Sequence, residues 1–389
     1  MEFPPKCKKY CIWISVILFI IFGICTLYFY VDVIGGNEDQ FTEASVPPAS
    51  LCNKRFIGFY AAQYPLKPSQ LRQLTHLVLP TLVKEYDHLV EIEGGRWNLF
   101  IKMRDLARKV NQDIKVMIAL LEHDGGQRNT VDFLSRESRT DEGRKKLVDT
   151  INNFLLKHSL DGVHFDWALQ NSDDSMRIKL NFLKDLREKF SNNPGQDMLI
   201  SVKIPPYGSI FKNLNFAEYK KYVDFISVGT ASYIDPEEIP GYVMPCSPLY
   251  KGPGIMEERT VNYTMNWLIK NVGDIGMFNI EIPTYGMRFQ MSKDTERALY
   301  RRIYYFMILE DEEWNYAPEE WDDESKTPFM WNKDRSIVAK YENPRSAEEK
   351  MKYFLEKEIG GVMIIYPDMD QPKMPIFEAI AKTDWCNGH

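Results

Sequence analysis

The sequence predicts an α/β fold: a (β/α)8 TIM barrel with a small insertion between its seventh and eighth strands, preceded by one transmembrane helix. Three observations predict it. Strand-like and helix-like segments alternate from about residue 55 to 385, which is the order of a parallel sheet. Eight strand candidates over roughly 330 residues fit a barrel carrying one insertion. Ahead of them, residues 11–31 form an uncharged apolar run, long enough at about 1.5 Å per residue to cross a bilayer core of about 30 Å.

The elements follow in order. Residues 1–10 read as a cytoplasmic tail, because Lys6, Lys8 and Lys9 precede the apolar run while Asp32, Glu38 and Asp39 follow it. Residues 11–31 read as an uncleaved signal anchor, since the run is too long for a signal peptide and no small-x-small cleavage site follows closely. The expected localisation is a single-pass type II membrane protein with the barrel extracellular or lumenal. Residues 32–52 form a stem: 37–50, "NEDQFTEASVPPAS", are polar, without period, and contain Pro-Pro. The barrel then occupies 53–386. Its strand candidates are "RFIGFYAAQ" (55–63), "THLVLPTLV" (75–83), "IKVMIALLE" (114–122), "DGVHFDWAL", "MLISVKIP", "VDFISVGTAS", "MFNIEIPTYG" and "GGVMIIYPD". Between them, helical periodicity marks 98–110, 142–157 and 174–190. Residues 287–335, rich in Trp, Tyr and acids, interrupt the alternation and are the expected insertion. A doubly wound open sheet is the alternative, but its nucleotide-binding versions need a Gly-rich phosphate loop that is absent here.

With 44% apolar and 26% charged residues the chain can bury a large core. A net charge of −7 and the lack of a basic stripe exclude a nucleic-acid partner. Cys7, Cys11 and Cys25 lie in or beside the apolar run; Cys52, Cys246 and Cys386 lie in the exported part. Three exported thiols imply one disulfide and one thiol left over. Cys52 and Cys386 bracket the domain and are candidates to tie its ends, although sequence alone leaves the pairing open. Asn262-Tyr263-Thr264 is the sequon, so Asn262 is the candidate glycosylation site. No cofactor and no metal site is expected.

Four stretches carry a resemblance to a known family. They are "DGVHFDWA", "NFLKDLREKF", "IEIPTYG" and "SIVAKYENPRSAEEKMKYFLEKEIGGVMI". In this order and spacing they resemble glycoside hydrolase family 18, the chitinases and chitinase-like proteins, from about residue 54 to 385. The N-terminal anchor is more loosely similar to nematode membrane-anchored chitinase-like proteins. The resemblance implies a substrate-assisted reaction: a Glu protonates the leaving oxygen and the substrate's N-acetyl oxygen attacks the anomeric carbon.

The chain departs from that pattern at the residues that do chemistry. The family's fourth-strand motif is Asp-Gly-aliphatic-Asp-apolar-Asp-any-Glu. Here the catalytic Glu aligns with Ala168 and the middle Asp with His164, leaving Asp161 and Asp166. The sixth-strand Met-x-Tyr-Asp aligns with Gly229 to Ser232, so that Ala231 and Ser232 replace the Tyr and Asp that hold the acetamido group. The floor Trp of the eighth strand aligns with Ile365, the third-strand Ser-x-Gly-Gly with 119–122, and a first-strand Trp with Gln63. Tyr285 survives. Candidates for ligand contact are Phe59, Asp166, Trp167 and Tyr285.

Rival readings attach to several residues. His164 is either a new general base or a satisfied buried histidine. Asp161 and Asp166 have a structural alternative in hydrogen bonds to neighbouring strands. Glu122, His123 and Asp124 are a replacement acid cluster, a metal site or, as adjacent residues that cannot all converge, a solvated loop. The acidic runs 310–314 and 319–324 read as a solvated face. Trp314, Tyr316, Trp321, Phe329 and Trp331 either stack on sugars or form the insertion's own core. The expected function is a membrane-anchored, chitinase-like pseudoenzyme that is not an active glycosidase. It binds a chitin-like, N-acetylglucosamine-containing glycan or extracellular matrix without hydrolysing it. The alternative is a barrel that binds an extracellular protein and no sugar. An active glycosidase with rearranged acids is the third reading.

Overall fold

The computed structural model describes residues 51–82, 95–121, 137–166, 173–193, 197–234, 242–291, 298–310, 314 and 318–386. The candidate span 11–31 lies outside the described residues. Among the described residues no helix is long and apolar enough to cross a membrane.

Eight parallel strands close into a barrel: β1 (Arg55–Phe59), β2 (His76–Leu82), β3 (Lys115–Leu121), β4 (Gly162–Asp166), β5 (Leu199–Ile204), β6 (Phe225–Val228), β7 (Phe278–Pro283) and β13 (Gly361–Ile365). β13 pairs with β1 from Arg55↔Gly361 to Phe59↔Ile365, which joins the last strand to the first. Each strand coincides with one of the eight expected segments. Period two divides their side chains. Ile57, Phe59, Val78, Met117, Ala119, Met363 and Ile365 meet in one cluster that fills the lumen. The alternate residues, such as Phe56, Leu77, Ile118, Phe165 and Val202, pack outward against the helices in the larger cluster.

The helices Gly95–Val110, Asp141–Lys157 and Asp173–Ser191 overlap the expected helical stretches. The second starts where Thr140 Oγ1 accepts from the Gly143 N–H, satisfying one of the free donors of the first turn. The helix Pro344–Glu356 has a capping box from Asn343 and Ser346 and leads into β13.

Between β7 and β13 the chain forms a second, antiparallel sheet of five strands. These are β8 (Tyr285–Met291), β9 (Ala298–Tyr304), β10 (Glu320–Asp322), β11 (Thr327–Trp331) and β12 (Ile337–Lys340), in the order β10-β11-β12-β8-β9. The inserted strands run from Tyr285 to Lys340, wider at both ends than the expected 287–335 because β8 continues directly out of the Tyr285 turn. A disulfide joins Cys52 to Cys386 across 334 residues of sequence, and Cys246 is a buried free thiol.

Candidate functional site: the barrel mouth

In a parallel barrel the side chains at the C-terminal strand ends face one mouth. Here that mouth collects Asp166 from β4, Lys203 from β5, Ala231 and Ser232 just after β6, Glu281 from β7, and Ile365 with Tyr366 from the end of β13. The insertion adds Tyr285, Arg302 and Tyr304.

The polar centre is a chain of three ionisable groups. Lys203 Nζ donates to Asp166 Oδ2 at 2.9 Å and lies 3.9 Å from Glu281 Oε2. Lys203 and Asp166 are about a third exposed, whereas Glu281 is 2% exposed. Burial raises the Glu281 carboxyl to about 7; Lys203 pulls it down, the Asp166 charge adds to the rise, and the Ala231 N–H opposes it. Burial pulls the Lys203 ammonium down, but Asp166 and Glu281 outweigh it and hold the group above its ordinary value. Neither Lys203 nor Glu281 figures among the sequence candidates. The stretch "IEIPTYG" that resembles the family holds Glu281, but only its Tyr285 is a candidate there.

His164 sits inside the lumen, fully buried. Its Nδ1 is 2.8 Å from Ser201 Oγ, and its Nε2 has no hydrogen-bond partner among the described residues. Burial drives its pKa down to about 4, against the pull of Asp166 and with a push from Lys203. A pKa held that low makes the ring a weak base, and full burial closes it to solvent; it packs in the lumen with one polar bond, to Ser201.

Asp161 is far from this chemistry. It lies at the opposite end of β4, where Oδ2 accepts from the Val116 N–H at 2.7 Å and from Arg108 at 2.9 Å, tying β3 to β4. Ala231 is buried against the lumen cluster, and Ser232 Oγ donates to the Ile234 carbonyl at 3.5 Å. Ile365 is 7% exposed in the same cluster. Gln63 is on the surface; its N–H donates to Asp368, which also receives the Ala61 and Tyr64 N–H groups and so ties the end of β1 to the end of β13. Ala119 faces the lumen. Trp167, Ala168, Glu122, His123, Asp124 and Tyr316 lie outside the described residues.

The aromatic rim is more continuous than the sequence suggested. Phe59 and Tyr366 are 6.2 Å apart by ring centroids, Tyr366 and Tyr285 6.1 Å, Tyr285 and Tyr304 6.4 Å, and Tyr304 and Phe306 6.2 Å. The Arg302 guanidinium lies over the Tyr285 ring at 4.4 Å and the Tyr366 ring at 5.7 Å. Burial pushes the Tyr285 phenol up, so it stays protonated and available as a donor.

The remaining insertion aromatics divide. Trp314 is buried in the insertion's own core with Ile303, Ile308 and Tyr341. Phe329 and Trp331 pack half-buried beside Phe289 and Val338. Trp321 lies under the Arg345 guanidinium at 3.8 Å. In the acidic runs, Glu319 accepts from Tyr341 Oη and Asn343 Nδ2, and Asp322 accepts the N–H groups of the β10–β11 turn. Among the described residues no group of three or more His, Cys, Asp or Glu could hold a metal ion. Asn262 is the second residue of the helix Val261–Asn271, half-buried, and its Oδ1 accepts from Asn266 Nδ2 at 2.9 Å.

Comparison with known proteins agrees with this architecture. The family described as glycosyl hydrolases family 18 matches residues 55–370. A probable chitinase 10 of Drosophila melanogaster is 24% identical over 321 residues, covering 74% of this chain; the match spans 13% of that much longer protein. A mutant class V chitinase from Nicotiana tobaccum, solved in complex with NAG4, superposes with a TM-score of 0.72 at 13% identity, over 86% of this chain and all of that one. A chitinase-like agglutinin from Robinia pseudoacacia gives 0.70 at 16% identity, over 84% of this chain and 99% of the other. At these identities the structures establish a shared fold.

Proposed function

This chain belongs to glycosyl hydrolases family 18, and from that premise we propose that its barrel holds a glycan at the mouth without cleaving it. One observation carries the proposal: the sequence position at which the resemblance requires a proton donor holds a residue with no proton to give. Residue 168 is alanine. The nearest remaining acid of that strand, Asp166, is bound to Lys203. With Ala231 and Ser232 in place of the acetamido-holding pair, the internal nucleophile is unrestrained as well. Losing a general acid alone costs roughly 10²–10⁴ in rate, and the positioning loss adds to it. That relatives of this fold include a chitinase solved with NAG4 and an agglutinin supports a sugar at this mouth.

The test is release of a fluorescent aglycone from a chitobioside by the purified full-length chain, run beside a glycan array. Binding without turnover is expected, and Ala168→Glu alone leaves hydrolysis absent because residues 164, 231 and 232 remain changed. Wild-type turnover within about 10²-fold of an active family member would sink the reading. The rival, a barrel that binds protein alone, has in its favour the exposed Leu299, Met307 and Leu309 on the insertion; an array with no sugar signal would favour it.

The membrane anchor at 11–31 and a glycan on Asn262 belong to the same proposal. They rest on the charge asymmetry around the apolar run and on the sequon. Both are checked together: the chain stays in the pellet on alkaline carbonate extraction and shifts in mobility when N-glycans are removed. Release into the soluble fraction would remove the anchor from the proposal.

A further inference from the structure

We infer that the mouth selects an acidic glycan: Arg302, with Lys203 and the Tyr285 hydroxyl beside it, forms a seat for a carboxylate or sulfate carried on a sugar. The inference rests on the glycan-binding reading and names the chemical class of the ligand. Three features of the structure carry it. The first is an uncompensated cation. Pairing of Met287 with Arg302 and of Tyr285 with Tyr304 puts Arg302 on the mouth face of β9. Its guanidinium lies 4.4 Å from the Tyr285 ring centroid. It lies 5.7 Å from that of Tyr366, whose left-handed backbone (φ 64°, ψ 58°) turns the ring back over the mouth. The Tyr304 side chain takes one hydrogen bond from it. Among the described residues no carboxylate pairs with Arg302. A guanidinium stacked by its face keeps its in-plane N–H groups for hydrogen bonding, and their fork matches a carboxylate or sulfate. The residue is exposed, so a ligand can reach it.

The second feature is convergence. Tyr285 is a neighbour that Arg302 shares with Lys203: both positive charges act on its phenol, which burial keeps protonated and so able to donate. Lys203 directs one of its three N–H groups to Asp166 at 2.9 Å and stands about a third exposed. Two cations and a phenol donor therefore border the same part of the mouth. Of the two carboxyls there, Asp166 is held by Lys203. The other, Glu281, is 2% exposed and raised to about 7, so on the acid side of neutrality it adds little negative charge.

The third feature is contrast. The whole chain carries a net charge of −7, so its overall field repels an acidic glycan and any attraction for one has to be local. A neutral sugar laid over Arg302 would strip water from the guanidinium without returning a charge; an acidic sugar returns it. Glu281 adds a signature in pH. Its carboxyl is faced by Lys203 from β5, Asp166 from β4, the Ala231 N–H and the Tyr233 phenol. A bound anion nearby disfavours its ionisation, so binding takes up a proton and affinity falls as pH rises through 7.

The experiment measures affinity of the full-length chain for three tetrasaccharides. One is neutral β-1,4-linked N-acetylglucosamine, one is the same oligomer sulfated on its primary hydroxyls, and one alternates N-acetylglucosamine with glucuronate. At pH 6 and low salt, one or both acidic ligands bind about tenfold or more tighter than the neutral one, and salt erodes the difference. The tighter of the two identifies sulfate or carboxylate as the group that is read. Arg302→Gln removes most of the preference and leaves the neutral affinity within about twofold. Arg301→Gln, on the reverse face of β9, leaves the preference intact. Between pH 6 and 8 the affinity for the acidic ligand falls in the wild type and stays level in Glu281→Gln. Equal affinity of the wild type for all three sugars overturns the inference and leaves glycan binding standing. Equal losses in the two arginine variants overturn the local seat, and a wild-type affinity level in pH overturns the part given to Glu281. A chain that binds none of the three defeats the glycan-binding reading and this inference with it.

Discussion

At the scale of residues, the departures read at 164, 168, 231, 232 and 365 rest on a motif that gives each position an expected occupant. Lys203, Glu281, Arg302 and Tyr366 were not legible, because their meaning depends on which strand ends meet. Lys203 and Glu281 are 78 positions apart, and nothing local marks them as neighbours. Tyr366 was hidden for another reason: strand alternation points it outward, and only a left-handed residue reverses that. Glu281 has a consequence in solution. Unfolded, a glutamate sheds its proton near 4.5; folded, this one keeps it to about 7. Between those values the folded state holds one extra proton, so this contribution to stability is complete below about 4.5 and is lost as pH rises through 7. The slope is about 1.4 kcal/mol per pH unit, roughly 3 kcal/mol across the window. Asp370, whose carboxyl burial likewise pushes to about 7, contributes in the same direction. Glu281→Gln therefore flattens the fall in denaturant midpoint between pH 5 and 7 without abolishing it. Identical slopes in variant and wild type would contradict the assignment.

At the scale of elements, all eight barrel strands were readable because buried parallel strands are short apolar runs bounded by turn residues. The three long helices were readable from a 3.6-residue period. The insertion was visible only as an interruption. Its sheet was not legible because its strands mix aromatics with Arg, Lys and Glu on two differently buried faces. On β8 and β9, Tyr285↔Tyr304, Met287↔Arg302 and Phe289↔Tyr300 share a face, while Arg288 and Arg301 oppose each other on the reverse. One glycine admits this sheet to the barrel. A Cβ on Gly286 would run into the Lys340 carbonyl and the Tyr341 backbone, atoms that cannot swing aside. Gly286→Ala is expected to cost about 1–3 kcal/mol, as overpacking does, and to lower the melting temperature. Gly276→Ala, whose Cβ would meet only Asp274 Oδ1 at 3.6 Å, serves as the nearly neutral control. Equal melting temperatures for the two would show that the β8–β12 contact yields more readily than its backbone suggests.

At the scale of the whole molecule, the order of elements and the candidate pairing of Cys52 with Cys386 came from the sequence; closure of the barrel came from the register of β13 on β1. The disulfide constrains the unfolded chain over 334 residues of separation, for which about 2–5 kcal/mol is the usual range. Thermal unfolding with and without reductant checks this: the wild type loses stability on reduction, Cys52→Ser starts lower, and reductant does nothing further to it. A wild type indifferent to reductant would contradict a structural role for the bond. The same bond also decides how the barrel carries load. Residue 51 enters at the N-terminal ends of the strands, opposite the mouth, and the bond at Cys52 fastens the chain's far end to that point of entry. Nearby, Trp385 packs on Phe56 and Phe354. Were the proposed glycan held at the mouth, a tug between it and residue 51 would run along the barrel axis, through β1 and β13 together. Neither end can be peeled off as a loose thread. The pull has to shear a closed ring of parallel strands, so the barrel behaves under tension as a rivet set at one face and loaded at the other.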